Sequence, residues 1–162
     1  MTQDWRDQVQ TWMQEKQLEK AQKRLLQLVK DHPDDPEVLI HTAWVHDSMG
    51  LEREAVPYYV KALEFGLSGD DLCGALLGLG STYRCLGEYE AAVETLKKGV
   101  AMFPDHRGMK VFLSMALYNT GQHRDAMELL LQQLLETSDD PTIETYHRAL
   151  SFYAERLDET WA

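Results

Sequence analysis

Cysteine is scarce in this chain of 162 residues, which holds only Cys73 and Cys85. Two cysteines build neither a disulfide framework nor a metal-binding spacing, and on one helix this pair would point to different sides. They read as small apolar helix residues of a reducing compartment. Basic side chains are also few. Sixteen Lys and Arg stand against 27 Asp and Glu, a net charge of −11. Such a surface repels phosphate backbones and anionic lipid head groups, which argues against nucleic-acid and membrane partners. Residues 36–72 alone carry two basic and seven acidic side chains, and no segment is basic. Long hydrophobic runs are missing too. The longest, Cys73 to Gly80, falls far short of the ~18 residues a spanning helix needs, and the opening MTQDWRDQVQ has no signal pattern. A cytoplasmic setting is expected.

An apolar fraction of 44% and a charged fraction of 27% are those of an ordinary globular protein, and the length suits one domain over 1–162. In LGEYEAAVETLKKGVAMFPD, apolar residues at Tyr89, Ala92, Val93, Leu96, Val100 and Phe103 fall three and four apart, on one helix face. Gly87 ends the helix before it, and Pro104 stops it. The preceding segment carries a second stripe at Leu76, Leu79, Gly80, Tyr83 and Leu86, with Asp70 or Asp71 as its expected cap. Two helices joined at Gly87 make a hairpin.

The punctuation recurs. Turn glycines stand at Gly50, Gly87 and Gly121, and an early alanine of each second helix at Ala21, Ala55, Ala92 and Ala126, spaced 34, 37 and 34. Asp35-Pro36 and Asp140-Pro141 each place a capping Asp before a first-turn Pro. Lys16 replaces the turn glycine of the first unit, whose hairpin is expected to be looser or differently angled. At this register the chain resembles the tetratricopeptide repeat (TPR), best in the third unit through Leu76, Leu79, Gly80, Tyr83, Ala92, Leu96 and Pro104. The other units match through Trp5, Ala21, Leu25 and Pro33; through Leu39, Ala43, Gly50, Ala55, Tyr59 and Ala62; and through Leu113, Ser114, Gly121, Ala126 and Leu130. The resemblance implies an all-α, right-handed solenoid of about four hairpins, over 2–35, 36–72, 73–106 and 107–140. A last amphipathic segment, 141–160, with Ile143, Tyr146, Leu150, Tyr153 and Leu157 in its stripe, is expected to cap the array.

In the resembled fold the first helices line a concave groove that takes a peptide or protein segment. Residues of those helices that avoid the core stripe are the expected groove: Ile40, His41, Trp44 and Asp47, then Leu77, Ser81 and Arg84, then Val111, Met115, Tyr118 and Asn119. Phe112 belongs to the same set, and it and Leu77 could equally pack as core. A class of these repeats holds a chaperone's C-terminal carboxylate with Lys, Asn and Arg. Here the matching faces present Arg6 and Gln10, Ile40 and Trp44, Gly78 and Ser81, so that clamp is missing. The run from GLSGDDL through LGEYEAAVETL is similar to a small bacterial group of single-domain TPR proteins, which implies a bacterial cytosolic setting and admits a homodimer. Trp5, Trp12 and Trp161 are candidate anchors for such self-association.

Nothing in the sequence asks for a cofactor, a metal or catalysis. His41 and His46 are five apart and cannot share a metal as an i, i+4 pair does. GLSGD lacks the second Gly of a nucleophile elbow. GLGST, Gly78 to Thr82, lacks the Lys of a phosphate loop, so its glycines are read as sites of close helix packing.

Overall fold

The computed structural model describes the backbone of residues 2–161 and the side chains of residues 5–161. Ten helices and no strands lie among the described residues. They fall into two compact units, Met1–Gly87 and Glu88–Ala162.

The first unit holds α1 (Thr2–Gln14), α2 (Leu18–Asp31), α3 (Pro36–Ser48), α4 (Glu52–Phe65) and α5 (Gly69–Cys85). Each helix packs on the next, and α3 also packs on α5, first helix against first helix. Alanine permits the close approaches: Ala21, Ala43, Ala55, Ala62 and Ala75 are all fully buried. One apolar cluster joins Trp5, Val9, Ala21, Leu25, Leu28, Val38 and Val45; a second joins Leu39, Ile40, Ala43, Ala55, Tyr59, Ala62, Ala75 and Leu79. His46, buried at 5% exposure, is a packing histidine: its Nδ1–H donates to the Thr42 carbonyl at 2.7 Å, which leaves Nε2 to accept from Gln22 at 3.3 Å.

The Asp35 carboxylate caps α3 as its sequence predicts, accepting from the amides of Glu37 (2.9 Å) and Val38 (3.3 Å). At α5 the outcome differs from expectation. Ser68 is the N-cap and makes no side-chain bond, while Asp70 and Asp71 lie in the first helical turn, where they favour the positive end of the helix dipole.

The Lys16 turn closes with the same hydrogen bonds as a glycine turn, while the hairpin it joins is packed less closely than that of α3 and α4, as expected. After α3, Gly50 has φ +72°, its amide bonds to the Asp47 carbonyl, and the Leu51 amide reaches back to His46, the usual left-handed helix stop. Lys16 has φ +58°, its amide bonds to Met13 and the Gln17 amide to Trp12, the same pattern without the glycine. The first turn therefore keeps its hydrogen bonds and holds a side chain in a region that costs an L-residue about 1–2 kcal/mol. Lys16→Gly is expected to stabilise the fold by about 1 kcal/mol, after the extra unfolded-state freedom of glycine is deducted. A rise in the thermal midpoint checks it.

The second unit holds α6 (Tyr89–Met102), α7 (Arg107–Asn119), α8 (His123–Thr137), α9 (Pro141–Thr145) and α10 (His147–Ala154). Helix α7 packs between α6 and α8, and α10 packs on α8. Its interior holds Ala92, Val93 and Leu96 of α6, Met109, Leu113, Ala116 and Leu117 of α7, Ala126 and Leu135 of α8, and Ala154 of α10. Gln133, irregular for the repeat, is buried because its side-chain oxygen accepts from Arg107, which also pairs with Glu136. Leu130 fills a repeat position but is 43% exposed.

The expected single helix over 141–160 is two short ones. Asp140 caps α9 as expected, accepting from the amides of Thr142 (2.8 Å) and Ile143 (3.4 Å). The backbone leaves helical geometry at Tyr146 (φ −103°, ψ 7°), next to Thr145, whose hydroxyl bonds back to the Pro141 carbonyl. The break shifts the phase of the stripe. Leu150 and Ile143 are half-buried, whereas Tyr146, Tyr153 and Leu157 face outward.

Candidate functional site

The expected groove residues of the first unit separate into three environments. Ile40 is fully buried in the core, out of reach of any partner, because it packs with Leu39 and Ala43 in the second cluster. Asp47 turns inward. Its carboxylate accepts from the Tyr59 hydroxyl at 2.5 Å and from the Thr82 hydroxyl at 2.8 Å, and Thr82 is also 2.8 Å from the Gly78 carbonyl. Burial pushes the Asp47 carboxyl above its ordinary 3.8, against the opposing pull of the Tyr59 and Thr82 hydrogen bonds. Burial likewise raises the Tyr59 hydroxyl, with Asp47 adding to it, so the phenol keeps its proton and donates. This triad fastens α3, α4 and α5 together and is scaffold.

His41 and Trp44 form the third environment, one turn apart on α3. They line an open cavity of about 460 Å³ with Arg6, Asp7, Gln10 and Met13 of α1, Glu37 of α3 and Asp71 of α5. The His41 ring meets Trp5 and Trp44 edge-on, at centroid distances of 5.2 and 5.0 Å. Its Nδ1–H donates to the Glu37 carbonyl at 2.9 Å, since a carbonyl can only accept. Burial, more than any charge, lowers the His41 pKa, although Asp71 pulls the other way. The imidazole is therefore neutral near pH 7, with Nε2 an acceptor. Arg6 pairs with Glu37 and lies over the Trp5 ring at 5.5 Å.

Leu77, Ser81 and Arg84 of α5 are half-buried, and Arg84 Nε has no hydrogen-bond partner among the described residues. In the second unit, Val111, Met115, Tyr118 and Asn119 share α7. Val111 and Asn119 are half-buried, Met115 is 36% exposed and Tyr118 63% exposed, its ring tilted against that of His123 at a centroid distance of 4.8 Å. Phe112 is half-buried. Sequence reasoning placed Arg6 and Gln10 on the inner face of α1 but passed over Asp7, Met13, Glu37 and Asp71. The 3–4 spacing of Arg6, Gln10 and Met13 carried the signal for one of them; Asp71 had none, since its position depends on where α5 starts.

Among the described residues no group of three or more His, Cys, Asp or Glu is placed to hold a metal. No helix among them is long and apolar enough to cross a membrane.

Comparison with known proteins agrees with this architecture. No curated protein sequence matches the chain. Among solved structures it is similar to MamA 41-end from Desulfovibrio magneticus RS-1, at 18% identity and a TM-score of 0.72, with 98% of this chain and 97% of that one covered. A MamA RS-1 double mutant gives the same identity and TM-score over 97% and 96%. A Podosopora anserina putative kinesin light chain with nearly identical TPR-like repeats matches at 21% identity and 0.72, over 96% and 87%. These likenesses show the fold, an all-α TPR-type solenoid. The family description "Tetratrico peptide repeat" matches residues 36–157, most of the chain, and the chain belongs to the tetratricopeptide repeat family.

Proposed function

We propose that the protein recognises a peptide or protein segment along the first helices of its hairpins and acts by binding alone, in the cytoplasm and without catalysis. Repeats of this family serve in general as protein-interaction modules. The observation that supports this reading most is the fate of three large side chains that the core covers only in part or not at all. Trp44 opens onto a cavity, and Met115 and Tyr118 stand exposed on α7. Aromatic residues and Met are over-represented at interfaces, and an apolar patch on a protein surface needs a reason.

Pull-down and peptide-array binding with Trp44→Ala, Met115→Ala and Tyr118→Ala tests the reading. At least one change is expected to weaken binding about tenfold or more, as truncation of an interface anchor does. Binders indifferent to all three, on proteins that remain folded by circular dichroism, would sink it.

A second reading, a homodimer, has its own observation. The last helix of an array normally turns a polar face outward. Here Tyr146 (64%), Tyr153 (49%), Phe152 (47%) and Trp161 (57%) are exposed, and the Phe152, Tyr153 and Trp161 rings lie within 5.5–5.8 Å of one another. Light scattering decides: a monomer at high micromolar concentration removes this reading.

A further inference from the structure

We propose that the cavity between α1, α3 and α5 receives a lysine or arginine side chain of the bound segment. The inference rests on the groove-binding reading and sharpens it to a basic partner. Two independent features carry it. The first is a fixed aromatic wall. The Trp44 indole lies where Gly74 of α5 leaves room, since a Cβ there would come within 2.9 Å of Trp44 Cζ2; it also packs against the second apolar cluster and meets the His41 ring edge-on. A ring so held offers its face at little entropic cost, and tryptophan is the best of the aromatic rings at attracting a cation.

The second feature is the polar inventory. Arg6, the one cation lining the cavity among the described residues, is already engaged by Glu37 and by the Trp5 ring. The carboxylates of Asp7 and Asp71 have no ion-pair partner among the described residues. His41, with its Nδ1–H committed to the Glu37 carbonyl, has only an acceptor left. Apart from the Gln10 amide, the Trp44 indole N–H and the remaining N–H groups of Arg6, the uncommitted polar groups here accept, and two of them are carboxylates, so a donor bearing positive charge is the complement. The apolar stem of a lysine or arginine would run along Met13 and the indole while its head reaches the carboxylates. The −5 balance of residues 36–72 favours approach of the same sign of partner.

The test uses capped single amino acids (Nα-acetyl amides of lysine, arginine, norleucine and glutamate) titrated into the isotope-labelled full chain, with the Trp44 indole N–H followed by NMR. Lysine and arginine are expected to shift it and norleucine and glutamate to leave it unmoved. The Asp7→Asn, Asp71→Asn double variant should weaken the cationic ligands by about fivefold, an effect that fades with added salt. Trp44→Phe should retain part of the binding and Trp44→Leu should lose it, read on backbone amides lining the cavity. A norleucine response equal to that of lysine, an undiminished double variant, or no shift at saturating lysine overturns the proposal. Random-peptide selection on the same protein separates this from the parent reading. Peptides sensitive to Met115 and Tyr118 but without a basic residue leave groove binding standing and the cation site refuted. Lysine binding without any selected peptide supports the cation site and refutes the groove.

Discussion

Gly78→Ala is expected to destabilise the protein by about 2 kcal/mol, although the same change in a free helix would stabilise it by about 1 kcal/mol. The reversal comes from Tyr59. That side chain is 1% exposed and reaches from α4 across α5, and a Cβ on Gly78 would stand 2.7 Å from its Cζ and 2.9 Å from its Cε1. Those atoms belong to a rigid ring whose hydroxyl is tied to Asp47, so neither partner yields cheaply. Either the tyrosine is displaced and its hydrogen bond to Asp47 lost, or α4 and α5 move apart and loosen the cluster around Leu39 and Ala75. Urea unfolding followed by circular dichroism gives the sign directly. A gain in stability would mean that the ring has room to withdraw.

The second large effect is expected from Tyr59→Phe, a loss of about 1.5–3 kcal/mol near neutral pH, the range for a hydrogen bond to a charged group. The variant keeps the apolar ring and removes only the donor. Asp47 then retains the Thr82 hydroxyl alone, at 2.8 Å, for a carboxylate that burial already disfavours. The pH dependence has a definite sign. Because the folded-state pKa of Asp47 lies above its ordinary 3.8, its contribution to stability is fully present below that value and is lost as pH rises through the raised pKa. Removing the tyrosine donor takes away one of the forces that lower this pKa, so it climbs further. The penalty of Tyr59→Phe should therefore be largest near neutrality and shrink in acid, where Asp47 is protonated in both proteins. Equal penalties at both ends of the range would show that the bond owes nothing to the charge. Gly78→Ala and Tyr59→Phe should also combine non-additively, since they meet at the same ring.

Much of this architecture was legible in the chain because it repeats. A helix boundary set by local chemistry, such as Asp35-Pro36 or Asp140-Pro141, needs only neighbours in sequence, and both caps are formed as read. The register of Ala21, Ala55, Ala92 and Ala126 was legible for the same reason, and each is buried at a helix approach. At Lys16 residue type alone did not reveal the left-handed turn, which is demanded by the two helices it joins and holds a lysine at a cost. The final segment misled: its 3–4 spacing is intact, yet a helix break at Tyr146 rotates the stripe and leaves Tyr146 and Tyr153 outside.

The candidate site divides along the same line. Periodicity could name the faces of the first helices, and so placed Ile40, His41, Trp44 and Asp47 together on α3. It could not say that Ile40 is sealed in the core, that Asp47 is spent on Tyr59 and Thr82, or that His41 and Trp44 look out on Asp7 and Asp71. By itself the sequence determined the helices, their repeat and the family, because these follow from local hydrogen bonding and from apolar spacing along one helix. Only the tertiary structure decided which side chains remain free to meet a partner. That depends on contacts between residues such as Asp47 and Thr82, 35 positions apart, where packing settles which polar group is consumed inside the protein and which is left facing out.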